Sequence, residues 1–576
     1  VENLQQRRGH YDRGVSNPAP TVEARIPASM GSEVAAKLAL AERSRVAERL
    51  REGDPTLWGP AGAPEISNRL GWLEIAERML VEVDALLLFA QEIREEGFKD
   101  VVLLGMGGSS LAPEVFRRSF GHQPGGARLH VLDSTDAGRI RAVQAAVDLQ
   151  RTLFIVSSKS GGTIEPLSLF AHFFSLLGDG SSFIAITDPG SGLAGLASEH
   201  DFRRTFLGDP NIGGRYSALS PFGIVPAALI GADIRTLLRG APDAWQTGLS
   251  DRSAAPAGPA LEHAAAVWLG AALSALAQAG RDKLTFLISD TLPGLGLWLE
   301  QLVAESTGKH QTGILPVAEE PPGGAEVYGE DRVFAYLPDL NAPDPALAAR
   351  VGELADAGHP LITIPTRGPL DLGRVFMLAE LMVAVAGWGL EINPFDQPNV
   401  QQAKDATNRV LAEYEAGHGK AQIGEASEPG AEGPPGADEP ALRALLLEAA
   451  PPHYAAIMAY LEPSDELDDA AAELRVELRA ATRATTTFGY GPRFLHSTGQ
   501  FHKGGPKIGR FLQILHDGPT DVDIPGAPYT FTTLKNAQSL GDLDTLRELG
   551  LPAERVRLRG DPAAALRELT ARIMGR

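Results

Sequence analysis

From residue 101 onward the chain alternates short, continuous apolar runs with helical stretches: VVLLG (101–105), RLHVLD (128–133), TLFIVSS (152–158) and FIAITD (183–188). Runs of this kind are covered on both faces, and strands that each feed a helix before the next strand form a parallel sheet. The chain is thereby confined to the α/β class. A second series, LTFLIS (284–289), RVFAYL (332–337) and PLITIP (360–365), lies around helical patterns at 294–307 and 372–389. Two α/β sandwiches are predicted, divided near 240–260, where APDAWQTGLSDRSAAPAGP supplies breakers.

The flanks read differently. Residues 1–33 are polar and rich in Pro and Gly, a leader or linker. EVAAKLALAERSRVAERLREG (33–53) and WLEIAERMLVEVDALLLFAQEIREEG (72–97) space apolar residues at three and four, as amphipathic helices do. The low-complexity stretch AGHGKAQIGEASEPGAEGPPGADEP (416–440) reads as a flexible linker. Behind it, helix (441–449), strand (FLQIL, 511–515) and a closing amphipathic helix (562–574) make a smaller C-terminal α/β unit. The expected division is 34–250 for the N-terminal helices and first sandwich, 251–415 for the second and 441–576 for the last unit.

Composition removes several functions. With 576 residues and 44% apolar content the chain can bury several cores, and its net charge of −21, with no long basic run, repels a nucleic-acid backbone. There is no cysteine, and the 13 histidines adopt no ligand pattern such as HExxH, so neither thiolate chemistry nor a metal is expected. The longest apolar candidate, FMLAELMVAVAGWGL (376–390), is short for a membrane span and is broken by Glu380. The opening VENLQQRRGHYDRG lacks the apolar core of a secretory signal, so a cytoplasmic protein without a membrane partner is expected.

Three loops carry chemistry. GMGGSSLAPEVF (105–116) follows the first strand; Gly107, Gly108 and Ser109 let the backbone approach a ligand and point free N–H groups at it. It matches neither GxGxxG nor the GxxxxGK[ST] phosphate loop, and could equally be a bare strand-to-helix turn. SSKSGGTIEP (157–166) crowds Ser158, Lys159, Ser160 and Thr163 at the start of the next helix, whose dipole favours an anion: a monophosphate cradle, although an N-capped helix with a solvated lysine would use some of the same residues. NIGGRYSALSPFG (211–223) brings Arg215 out of a tight turn, suited to an oxyanion or to a surface ion pair.

LEQLVAESTGKHQ (299–311) places Glu305 in the last turn of an apolar helix, before Gly308. The carbonyl end of a helix disfavours a carboxylate by a few tenths of a kcal/mol to about 1 kcal/mol. Gln301 stands one turn earlier on the same face. If that face looks into a cleft holding a phosphorylated sugar, a poorly solvated carboxylate is what a general base near neutral pH requires; otherwise Glu305 is a solvated helix end.

Taken together, and in this order, the segments GMGGSSLAP, SKSGGTIEP, GGRYSALS and LEQLVAESTGK resemble the glucose-6-phosphate isomerase family, and INPFDQPNVQQAK (392–404) is similar to its closing motif, with Gln397 and Lys404 seven apart. The likeness spans roughly 60–410. It implies two sugar-isomerase (SIS) three-layer αβα sandwiches with parallel sheets. It also implies aldose–ketose isomerisation without cofactor or metal: Ser158, Lys159, Ser160 and Thr163 on the 6-phosphate, Gln301 positioning the sugar, Lys404 in ring opening, Glu305 moving a proton between C1 and C2, and Arg215 on the enediolate. Gly162 and Pro166 stand where relatives carry further hydroxyls, which shifts the phosphate loop toward backbone donors. The likeness also implies a homodimer, with a ring-opening histidine from the neighbouring subunit. His359 is ill-spaced for that role, which leaves His310, His496 and His502; the last two lie in HSTGQFHKGGP (496–506), a cleft cap or a polar surface loop. Within the family, GGRYSALSPFGIVPAAL and HSTGQFHKGGP resemble the isomerase portion of bacterial transaldolase/phosphoglucose isomerase fusions. A broader isomerase also taking mannose 6-phosphate, and a non-catalytic sugar-phosphate-binding regulator, are the alternatives.

Overall fold

A computed structural model describes residues 19–251, 264–416 and 439–576. Its strands are β1 (Val22–Arg25), β2 (Asp100–Gly105), β3 (Arg128–Leu132), β4 (Thr152–Ser157), β5 (Phe183–Thr187), β6 (Arg204–Leu207), β7 (Leu249–Asp251), β8 (Lys283–Ile288), β9 (Leu315–Val317), β10 (Arg332–Leu337), β11 (Leu361–Thr363), β12 (Tyr454–Tyr460), β13 (Thr485–Tyr490), β14 (Gly509–Leu515) and β15 (Ala553–Arg557). The α/β class and the parallel sheets expected from the apolar runs are borne out.

The first sheet has the order β3-β2-β4-β5-β6 and every pairing is parallel. All six residues of β2 are buried, because alternate side chains feed two cores. Val101 and Leu103 pack with Leu111, Val115 and Phe116 of the Leu111–Phe120 helix on one face; Val102 and Leu104 pack with Leu169 and Phe173 of the Ile164–Leu177 helix on the other. The helices after β2 and β4 thus leave on opposite faces. The topological switch point falls at the carboxyl ends of those two strands, the usual ligand position in such sheets.

The second sheet runs β7-β1-β11-β10-β8-β9. Here the leader expected at 1–33 is corrected in part: β1, from within it, pairs antiparallel with β11 and parallel with β7. Its burial alternates, so Val22 and Ala24 close the core while Arg25 faces outward. Residues 1–18 and nearly all of the expected 416–440 linker lie outside the described residues. The helix expected over 33–53 is two, Gly31–Arg43 and Val46–Arg51, parted where Arg45 adopts a left-handed φ of 53°.

The third sheet, β13-β12-β14-β15, is wholly parallel. This C-terminal unit shares interior with both sandwiches. Phe531, Leu534 and Ala537 of the Phe531–Glu548 helix join the core of the first, and Tyr454, Phe501 and Phe511 enclose Ala304 and Leu315 of the second. Among the described residues no helix is long and apolar enough to cross a membrane.

Candidate active site

The carboxyl ends of β2 and β4 carry the two loops singled out above. Gly107 has φ +53°, and a side chain there would press on the His496 carbonyl at 2.7 Å and the Gln301 amide at 2.8 Å. A side chain at Gly108 would overlap the Gly214 carbonyl, so this glycine lets the first loop lie directly on the turn that presents Arg215. Ser109 is buried just before the Leu111–Phe120 helix. In the second loop the Ser158 hydroxyl donates to Thr163 Oγ1 (3.1 Å) and accepts from Gly161 N (3.2 Å); Thr163 is the N-cap of the next helix and Ser160 is exposed. Lys159 behaves otherwise than a free phosphate cation. Its ammonium lies between both oxygens of Asp188 (2.7 and 2.6 Å) and the Asp209 carbonyl (2.8 Å).

Glu305 lies in the last turn of the Leu295–Thr307 helix with only 3% exposure. Gln301 Nε2 donates to it at 3.4 Å, and Arg215 Nη1 lies 3.3 Å from its other oxygen. Burial raises the carboxyl above the ordinary glutamate range, while Arg215, Gln301 and His496 work to lower it. Arg215 is fixed throughout: Nε donates to Ser306 Oγ (2.8 Å), Nη1 also to Gln397 Oε1 (3.3 Å), and Nη2 to the carbonyls of Pro394 (2.5 Å) and Asp396 (2.9 Å). Gln301 Oε1 is buried with no protein partner. It is an acceptor available to a ligand hydroxyl.

Two residues that contact this cluster escaped the sequence reading or were left open by it. Lys309, one turn beyond Glu305, donates to the Asn393 carbonyl (2.5 Å) and to the carbonyl and carboxylate of Asp396 (both 2.6 Å), pinning the segment that holds Arg215. Burial, with Arg215 adding, lowers its ammonium to about 7, against Asp396 and Glu305. His496 is the histidine that reaches the site: Gln301 Nε2 donates to its carbonyl (2.8 Å), and its Nε2 lies 3.0 Å from Glu165 Oε1. Burial works to raise the Glu165 carboxyl, but His496, the backbone and Lys404 outweigh it and hold Glu165 below its usual value. Gln538 donates to the same oxygen at 2.7 Å. Lys404, on the Pro398–Glu415 helix that Gln397 caps, is therefore electrostatically coupled to this dyad. The other three candidates are elsewhere. His359 is buried against Phe334 and Tyr328, His310 is exposed, and His502 is enclosed by Tyr454 and Phe511, where burial lowers it to about 3.

The sequence model of the phosphoglucose isomerase family matches residues 91–332. The glucose-6-phosphate isomerase of Rubrobacter xylanophilus is 29% identical over 429 residues, covering 65% of this chain and 95% of its own length. One from Thermus thermophilus is 28% identical over 419 residues, covering 64% and 96%. Among solved structures, a hypothetical protein from Thermus thermophilus superposes with a TM-score of 0.54 at 26% identity, over 68% of this chain and 100% of that one. A glucose-6-phosphate isomerase from Chlamydia trachomatis gives 0.52 at 18% identity over 68% and 87%, a likeness of fold. The fold is an α/β one with two sandwiches and a third, C-terminal sheet. Over residues 91–332 the chain is similar to the phosphoglucose isomerase family.

Proposed function

We propose that the chain interconverts glucose 6-phosphate and fructose 6-phosphate with Glu305 as the proton-transfer base. The observation that carries this reading is the buried Glu305 carboxyl, with its pKa raised by burial and its two oxygens against Gln301 and Arg215. The phosphate rests on the 158–163 turn, on hydroxyls and backbone N–H groups, while Lys159 stays on Asp188. With the sugar open, Glu305 takes the C2 proton; the C1=O electrons move onto O1 and a C1=C2 bond forms. The proton returns to C1, O1 gains a proton and O2 loses one, so the ketose results with no net oxidation.

Arg215 has its N–H groups directed at protein oxygens, so its part is that of a fixed positive charge beside the enediolate. A cytoplasmic homodimer acting in glycolysis and gluconeogenesis belongs to the same proposal, resting on the family likeness. The test is Glu305→Gln. Glucose 6-phosphate turnover is expected to fall by about three orders of magnitude or more, with sugar-phosphate binding by calorimetry retained. A variant that keeps turnover removes Glu305 from the chemistry. A wild-type chain that binds the sugar phosphate without converting it is instead a regulator. Offering mannose 6-phosphate in the same assay separates the broader isomerase.

A further inference from the structure

The C-terminal unit lies outside the residues that the family's sequence model matches, yet one of its side chains, Gln500, touches the ends of two helices that build the site. Gln500 lies in the short Gly499–Gly504 helix and is fully buried. Its Nε2 donates to the carbonyl of Gly308 at 2.9 Å and to Asn399 Oδ1 at 2.8 Å, and its Oε1 accepts from the backbone N–H of Asn399 at 3.0 Å. Gly308 is the C-cap of the Leu295–Thr307 helix that carries Glu305; Asn399 is in the first turn of the Pro398–Glu415 helix that carries Lys404. A helix leaves its last carbonyls and its first N–H groups without partners of its own. Here a single buried amide satisfies one of each, so the carbonyl end of the first helix is fastened to the N–H end of the second.

The backbone around this contact leaves room for nothing else. A side chain at Gly504 would meet Asn399 Oδ1 at 2.5 Å, the Gly308 carbonyl at 2.6 Å and Gln500 Nε2 at 2.7 Å, and one at Gly308 would overlap the Cα of Phe501. The Gly499–Gly504 helix is anchored in turn to the Phe531–Glu548 helix by Lys503 and Asp542, 2.5 Å apart and both buried. That helix lies so close to the Lys404 helix that a side chain at Gly541 would press on Ala406 and Thr407 at 3.0 Å. Groups that act on one small molecule from separate helices depend on their spacing, and a displacement of about 1 Å can cost about a hundredfold in rate.

We infer that Gln500 is a positioning residue: it fixes the Glu305 helix and the Lys404 helix to one another, and through it the C-terminal unit sets the geometry of the site without touching substrate. This rests on the isomerase reading above. The turn at 158–163 is held by its own hydrogen bonds in the first sandwich, so sugar-phosphate binding should survive loss of the fastening.

The test uses Gln500→Glu and Gln500→Met in the full chain, with kcat counted per folded molecule. The glutamate keeps the shape but cannot donate to Gly308 or to Asn399 Oδ1; the methionine removes donors and acceptor without adding charge. Both should lower kcat for glucose 6-phosphate by about thirty- to a hundredfold, while the dissociation constant from calorimetry stays within about threefold. Asn399→Asp, which keeps an acceptor for Nε2, should stay within about threefold of wild type, and Asn399→Ala should lose about tenfold. In Gln500→Met, amide hydrogen exchange at Asn399 should quicken at least tenfold, because its N–H has lost its acceptor. Wild-type kcat in both Gln500 variants would overturn the inference and leave the isomerase reading standing. So would a loss of binding equal to the loss of kcat, or unchanged exchange at Asn399. A wild-type chain without conversion would overturn both.

Discussion

Glu300 precedes Gln301 on the Leu295–Thr307 helix but faces the C-terminal unit, where Ser497 Oγ donates to it at 3.5 Å. It is 5% exposed, and burial pushes its carboxyl up to about 8; Arg493 and Arg475 pull it down and Glu319 pushes it further up. The folded value lies above the unfolded one, so the stability this group contributes is fully present below about pH 4.5 and is lost as pH rises through about 8. At ~1.4 kcal/mol per pH unit, the gap between 4.5 and about 8 amounts to about 5 kcal/mol at most. Glu300→Gln removes the titration and keeps an amide oxygen for Ser497. In urea unfolding, the variant should match the wild type within about 1 kcal/mol at pH 5 and exceed it by ~2–5 kcal/mol at pH 9. An equal difference at both pH values would refute the reasoning, because a proton held by Glu300 must make the difference depend on pH.

Gly108→Ala should displace the turn bearing Arg215, because the new methyl meets the backbone carbonyl of Gly214. A loss of kcat on the order of a hundredfold is expected, with stability lowered by about 1–3 kcal/mol, and wild-type kcat would show that the two loops need not touch. Lys309→Met leaves Asp396 without its ammonium and the carbonyl of Asn393 without its donor, so KM for the sugar phosphate should rise. The wild-type lysine, lowered to about 7, should itself release that segment as pH climbs past neutrality. KM is therefore expected to rise between pH 6.5 and 9 in the wild type only, and a flat wild-type profile would contradict the assignment.

Strands buried on both faces announce themselves, which is why VVLLG and RVFAYL were legible almost to the residue in β2 and β10. β1 was not legible. VEAR offers two inward residues, and its strand character comes from β7 and β11, hundreds of positions away. YAAIMAY, the central β12, hides in another way: its alanines have weak strand preference, and burial between β13 and β14 overrides that. In the site, hydroxyls and glycines could be read from their clustering, but the state of Lys159 could not, since Asp188 and Asp209 reach it only through the fold. HSTGQFHKGGP held open two readings that differ only in tertiary position, and Gly107 and Gln301 decide between them by lying against His496.

The same limit governs Glu305 itself. A carboxylate at a helix carbonyl end, buried as Glu305 is, would keep its proton and be useless as a base if nothing opposed those effects. Arg215 and Gln301 oppose them, and burial still leaves the carboxyl above its ordinary value. Arg215 can do so only while Ser306 and the carbonyls of Pro394 and Asp396 fix it, and the latter segment stays in place because Lys309 ties it down. The state of this carboxyl is thus set by partners drawn from three separate stretches of chain. A glutamate at a helix end acquires this setting only when those stretches converge, so its position alone poses the question and the tertiary structure supplies the environment.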